Sequence, residues 1–225
     1  MVNKILRRLR EDEVASVADN AYSQLIAELI NEGLEEVQAA FMWSSLDTTV
    51  EFDTILDTRD YDLTAETTDR TILRMANKQA QVYVTDNGDT QSMVLVSPGD
   101  IDKLYFEDSF EPSIPIFFSV RKNITHDGVL MTVHPVPDRV VTITSVFWTP
   151  QEPMEIDGSD DATDFVVPWE PVFAYAYMMA LNERGEEMGE AGHLAERRYL
   201  AALGAAIEQE ISYLGMGDVY EFRRD

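Results

Sequence analysis

Cysteine is absent from the 225 residues, and histidine occurs three times. Without thiols the chain has no disulfides, thiolate zinc sites, iron–sulfur clusters or cysteine nucleophile, and thiol usage says nothing of its redox compartment. Basic residues are scarce: 17 Lys and Arg face 42 Asp and Glu, a formal charge of −25. That excess argues against a nonspecific phosphate binder, which needs clustered cations to release counterions. Long apolar runs are missing too. None approaches the roughly 20 residues of a membrane-spanning helix. The basic opening MVNKILRRLR runs into EDEVASVADN and not into the apolar stretch of a secretion signal. There is no phosphate-cradling glycine loop, no Gly-x-Ser-x-Gly elbow and no His-Glu-x-x-His pair.

What is present suits one domain or two small ones, with 45% apolar residues to build a core. The charge is uneven. Residues 1–10 hold Lys4, Arg7, Arg8 and Arg10 and no acid, a candidate docking arm. Residues 47–69 hold eight acids and one Arg, and residues 151–171 hold seven acids and no base. High net charge by itself keeps a protein soluble. A sharper reading is a surface that must repel a polyanion, as the wall of a DNA conduit would.

From about Glu13 to Leu46 the pattern predicts one long helix. Tyr22, Leu25, Ile26, Leu29, Ile30, Leu34, Val37 and Phe41 form a stripe at steps of three and four, and Glu28, Glu32, Glu35 and Glu36 fall off it. Gly33 in its middle marks a position for a bend. From Thr48 to Thr149 the period changes to two. Asn87-Gly88 between β-rich runs predicts a type I′ hairpin. Asp100 is placed to cap a short helix, and segments 71–76, 116–121, 129–134 and 140–148 read as strands. Seven or so strands point to a β-sandwich-like sheet pair. Helical pattern returns behind Pro168 and Pro171, breaks at Gly185–Gly192, and resumes from about Ala191 to Leu214.

The fold expected is therefore α+β. Residues 1–47 and 166–214 make a discontinuous helical bundle, and 48–152 form an antiparallel β insertion. Residues 153–165 are an acidic linker and 215–225 a tail. Catalytic vocabulary is thin. His126, His134 and His193 read as surface or strand-end residues. The run Asp157–Asp164 has alternating oxygen ligands but lacks the central Gly and closing Glu of a calcium loop, so it reads as a solvated acidic loop. With 42 carboxylates, a glycosidase-like pair has no specificity. No metal or cofactor is expected. Tyr213, Leu214, Met216, Val219, Tyr220 and Phe222 place apolar and aromatic side chains where the chain leaves the bundle, and such tails dock on partners.

Three groups of residues follow one another along the chain. One is Asn31 with Phe41-Met42-Trp43, then Thr49-Val50-Glu51-Phe52 and Arg59-Asp60-Tyr61-Asp62-Leu63. Another is Ile114-Pro115-Ile116-Phe117-Phe118-Ser119-Val120 with Leu130-Met131-Thr132-Val133-His134-Pro135-Val136-Pro137-Asp138. The last is Val146-Phe147-Trp148-Thr149-Pro150 with Val167-Pro168-Trp169-Glu170-Pro171-Val172-Phe173. Their order resembles the head-to-tail adaptor (connector) proteins of tailed bacteriophages, including the tubular tail protein and tail-accessory adaptors of short-tailed phages, although Thr64 replaces the usual Pro and the family's Gly before the second group is missing. The resemblance implies a non-enzymatic virion protein of the neck, assembled in the host cytoplasm, with no membrane. It implies a homo-oligomeric ring, commonly of twelve subunits, between the portal protein and the tail or nozzle proteins. Genomic DNA would pass through the lumen without specific binding. The tail, with Arg223 and Arg224 beside its aromatics, would dock on the portal. The alternatives are another tail component, such as a tail completion protein, or a carboxylate-based cell-wall glycosidase.

Overall fold

The computed structural model describes residues 1–63, 74–75, 82–107, 111–122, 129–159, 164–185 and 189–213. The fold is α+β. The chain divides into two units, Met1–Ser45 with Gln151–Asp225, and Leu46–Pro150.

The first unit is helical. It contains α1 (Val2–Leu9), α2 (Ala21–Ala40), α4 (Trp169–Glu183) and α5 (Glu190–Tyr213). The long helix expected from Glu13 is not formed. Ser16 caps a single 3-10 turn, Val17–Asp19, and the Asp19 carboxylate accepts from the Ala15 and Ser16 amides. Asn20 then caps α2: its Oδ1 accepts from the Ser23 amide, and the Ser23 hydroxyl accepts from the Asn20 amide. Two reciprocal capping boxes in a row satisfy amides that a continuous helix would have used internally. At the other end, Phe41 turns extended and the buried Trp43 indole donates to the Val37 carbonyl at 2.7 Å.

α2 buries Ile26, Ala27, Leu29, Ile30, Gly33, Leu34 and Val37, and leaves Glu28, Glu32, Glu35 and Glu36 exposed. The helix runs unbroken through Gly33, which lies close against α4: a Cβ there would stand 3.0 Å from the Val172 carbonyl oxygen and 3.1 Å from Tyr175 Cδ1. α4 in turn packs on α5, where Tyr175 and Tyr199 meet edge to face at 5.4 Å.

The second unit holds nine strands among the described residues. They are β1 (Asp47–Asp53), β2 (Asp60–Asp62), β3 (Arg74–Met75), β4 (Val82–Asp86), β5 (Asp89–Ser92), β6 (Val94–Leu95), β7 (Phe117–Lys122), β8 (Val129–His134) and β9 (Thr142–Trp148). Helix α3 (Pro98–Glu107) lies against β7 and β8. One sheet has the order β1-β9-β4-β5, with β3 also on β9; the other is β2-β8-β7-β6. All pairings are antiparallel except β6 with β7. Alternate residues from both sheets, including Val50, Phe52, Val84, Phe118, Met131, Val133, Ile143 and Phe147, make one core. The β4–β5 turn is as the sequence predicts, with Asn87 at φ 49° and Gly88 at φ 90°. β1 runs antiparallel to β9 over its whole length, and the Thr149 amide donates to the Leu46 carbonyl at 2.9 Å. The chain therefore enters and leaves this unit at neighbouring points.

Two glycines on helices make a paired test. Gly33→Leu drives side-chain atoms into the α4 backbone and destabilises by about 1–3 kcal/mol, the usual cost of overpacking. Gly204 sits exposed within α5 with nothing within 4 Å of a built Cβ. Gly204→Ala stabilises by about 0.5–1 kcal/mol from helix propensity alone. Urea denaturation followed by circular dichroism reads both signs.

Candidate functional site

Of the residues expected to anchor a docking tail, Tyr213 closes α5 and is 74% exposed, and its hydroxyl accepts from Gln209 Nε2 at 3.1 Å. Leu214, Met216, Val219, Tyr220, Phe222, Arg223 and Arg224 lie outside the described residues.

The basic N-terminal run is not an extended arm. It folds as α1, because Val2, Ile5, Leu6 and Leu9 at steps of three and four give it one apolar face, and all four are buried. The cations occupy the other side. Lys4 Nζ stands 3.9 Å from the Trp169 ring centroid and 4.8 Å from that of Phe173. One turn on, the Arg8 guanidinium lies 4.7 Å from Phe173 and 5.5 Å from Tyr177. The aromatics are themselves one helical row: Trp169, Phe173 and Tyr177 are four residues apart on α4, with ring centroids 6.2 and 6.4 Å apart. Two cations at i and i+4 thus interleave with three rings at i, i+4 and i+8. Each contact of this kind contributes about 0.5–1 kcal/mol when exposed and more when desolvated.

This zipper forms one side of a groove of about 250 Å³. Arg198 of α5 lines the opposite side, and Ala174, Ala195 and Ala202 are the small residues that leave room for it. Trp169, at the groove, is 44% exposed, whereas Trp43 and Trp148 are buried. Among the described residues the helical unit has ion pairs elsewhere, at Arg7 with Glu13 and Arg184 with Glu11. Among the described residues, Lys4, Arg8 and Arg198 face no carboxylate within ion-pair distance.

A second feature was hidden in the acidic linker. Its start is strapped to α2 by side-chain amides. The Gln38 amide donates to the Gln151 carbonyl (3.2 Å) and accepts from the Gln151 amide (2.7 Å). Asn31 does the same for Met154, at 2.8 and 2.9 Å. The spacing is matched: seven residues of helix and three of extended chain both span about 10 Å. Gln151 continues the chain of bonds, donating to the Asp164 carbonyl and accepting from the Val166 amide. The strap presents Glu152, Glu155 and Asp157 to solvent. Asp157 accepts from the Ser159 amide at 2.8 Å, and its bonds to Ser159 hold its carboxyl below the usual range. The local pattern does not reveal this strap, because its partners lie more than a hundred residues apart; the spacing of seven between Asn31 and Gln38 was the available signal.

The other chemical candidates do not converge. His134 is buried at the end of β8, His193 is exposed on α5, and His126 lies outside the described residues. Among the described residues, no three His, Asp or Glu side chains come together as a metal site. Nor is any described helix long and apolar enough to cross a membrane. Three tyrosines are perturbed. Burial raises the pKa of Tyr61, Tyr175 and Tyr199, and the charges of Glu32 and Glu36 add to the rise at Tyr175, as Glu36 does at Tyr199.

The strap can be tested by exchange. Gln38→Leu leaves the Gln151 backbone without both partners, so hydrogen exchange at Gln151 should accelerate while β1–β9 protection stays unchanged. A buried polar loss of this kind costs about 1–3 kcal/mol. The tyrosines give a pH test. A raised folded-state pKa means the folded protein keeps protons that the unfolded chain loses near pH ~10, so stability holds below that value and falls as pH rises through the folded values. Alkaline denaturation with tyrosinate absorbance should show a fall that is shallower in Tyr175→Phe and Tyr199→Phe; an unaltered fall would contradict the assignment.

Compared with known proteins, the chain matches no family model and no curated protein.

Proposed function

We propose that this protein is a structural head-to-tail adaptor of a tailed bacteriophage. It assembles as a ring, of twelve subunits in the usual arrangement, between the portal and the tail or nozzle proteins, and it lines the channel through which DNA passes. The observation that carries this reading is the organisation of the chain. Segments from both ends build one helical unit, and a β unit is inserted between them. Along that organisation run, in order, the segments whose resemblance to adaptors is described above.

Other observations support it. Trp43, Phe52, Tyr61, Leu63, Phe118, Met131, Val133 and Trp148, which carry the resemblance, are buried. They are placed where a family signature would reside if it recorded a fold and not a reaction. The charge of −25 suits a protein that surrounds a polyanion without holding it. The exposed Tyr213 sits where α5 leads toward the tail that would reach the portal.

Electron microscopy of the chain mixed with its portal is the direct test, with rings on the portal's tail-facing end as the expected result. Truncation after Leu214 should abolish docking while leaving the circular dichroism spectrum unchanged. Full docking by the truncated chain removes the tail as anchor. No docking by the full chain removes the adaptor reading and favours a tail component that never meets the portal.

A further inference from the structure

The groove between α1, α4 and α5 gathers cations and aromatic rings. Lys4, Arg8 and Arg198 line it with a single acid, Glu170, in a chain where acids outnumber bases 42 to 17. Among the described residues no carboxylate, Glu170 included, is within ion-pair distance of these three cations. Aromatic faces hold Lys4 and Arg8 in place without neutralising them. A quadrupole attracts a cation but leaves its charge available to an anion. The site is therefore a preorganised receptor for an anionic group that also has apolar surface to lay on Trp169.

The same unit presents a segment of that chemistry. Residues 151–154 are tied to α2 by the four amide hydrogen bonds of Gln38 and Asn31. On and beside that backbone, Glu152, Glu155 and Asp157 are exposed, interleaved with the half-buried Met154 and Ile156. Three acids are exposed on the strap, and three cations with one acid, Glu170, line the groove. Ordering either surface costs little on association, because each is already held. The strap does not reach its own groove: no carboxylate of residues 151–159 is within ion-pair distance of Lys4, Arg8 or Arg198.

We propose that the groove of one copy receives the acidic strap, residues 152–157, of a second copy. Lys4, Arg8 and Arg198 meet Glu152, Glu155 and Asp157, and Met154 or Ile156 lies on Trp169. The contact is heterologous, one surface against a different one, and such contacts propagate into rings when the rotation closes. The inference rests on the ring-forming reading and names the two surfaces that meet. It also gives copies that repel one another at long range a place where the sign reverses.

The absence of cysteine makes the test clean. Arg198→Cys and Glu152→Cys chains are mixed in equal amounts at low salt and treated with a short bis-maleimide. Mixed cross-links should exceed those between Arg198→Cys and Asp89→Cys, an exposed position at the start of β5 in the β unit. Replacing Lys4 and Arg8 with Glu in the Arg198→Cys chain should lower the yield about tenfold, as a few reversed surface pairs do. Replacing Glu155 and Asp157 with Lys in its partner should restore it. Lys4→Gln and Arg8→Gln, checked for folding by circular dichroism, stand in if the reversed chain misfolds, with a smaller loss expected. A yield no higher than the Asp89 control, or no rescue by the second reversal, overturns the proposal. So does binding of a dT12 oligonucleotide that quenches Trp169 and is lost on reversal without any copy-to-copy cross-link; the groove would then be a phosphate site. Rings that still form on the portal while the mixed cross-link stays at background sink this contact and leave the adaptor reading standing.

Discussion

The antiparallel seam between β1 and β9 is the constraint on which the organisation of the chain depends. Seven residue pairs, from Asp47 with Trp148 to Asp53 with Thr142, bring the end of the β unit beside its beginning. An insertion of about a hundred residues can sit between two helices only if its ends lie close together, since the helical unit must close as though the insertion were a loop. The seam meets that demand with backbone hydrogen bonds, and the Thr149-to-Leu46 bond extends it to the edge of the unit. The first consequence is at Gln151, the next residue, whose backbone is taken at once by Gln38 near the end of α2. The strap then runs back along α2 to Asn31, so the return of the chain is written in two amide side chains.

Electrostatics follow a consistent economy. With so few bases, the molecule settles several of them on rings. Lys4 and Arg8 lie on the α4 row, Arg59 lies on Tyr105 while also bonding Asp102, and Arg184 lies over Tyr22 while bonding the Leu9 carbonyl and Glu11. In the last two cases a carboxylate completes the cation's environment. At Lys4 and Arg8, among the described residues, aromatic rings take that place with no carboxylate at ion-pair distance. The difference separates cations that stabilise the fold from cations left available to another surface.

Much of the architecture was legible in the residues, and the failures have identifiable physics. The α2 stripe, the Asn87-Gly88 turn, the β7–β8 pairing and the start of α4 behind Pro168 rest on local pattern, and local pattern decided them. The single long helix from Glu13 failed because caps outcompete propensity: Ser16 and Asn20 each offer a side-chain acceptor that ends one element and begins another. α1 has only two turns, and its apolar face of Val2, Ile5, Leu6 and Leu9 is too short to stand out as a helical period beside four cations. The parallel pairing of β6 with β7 and the strap on α2 are long-range arrangements that a local period does not encode. The groove was least legible of all, since its cations, its rings and Arg198 come from three separate stretches of sequence.

α2 is the element that joins these arrangements. Gly33 faces α4, while Asn31 and Gln38 hold the strap. Two residues apart on a helix means a turn of roughly 200°, so these contacts grip α2 from opposite sides. Neither grip uses ordinary apolar packing. One is a backbone approach permitted by a missing side chain, and the other is a pair of amides that substitute for a neighbouring strand. Both require α2 at one rotation about its axis, because a slip of one residue would put Glu32 or Leu34 where only a glycine fits against α4 and carry both amides away from the strap. The apolar stripe by itself tolerates such a slip more easily, since it spans several adjacent positions. The polar and glycine contacts therefore specify α2, and through α2 they fix where the acids of the strap are presented.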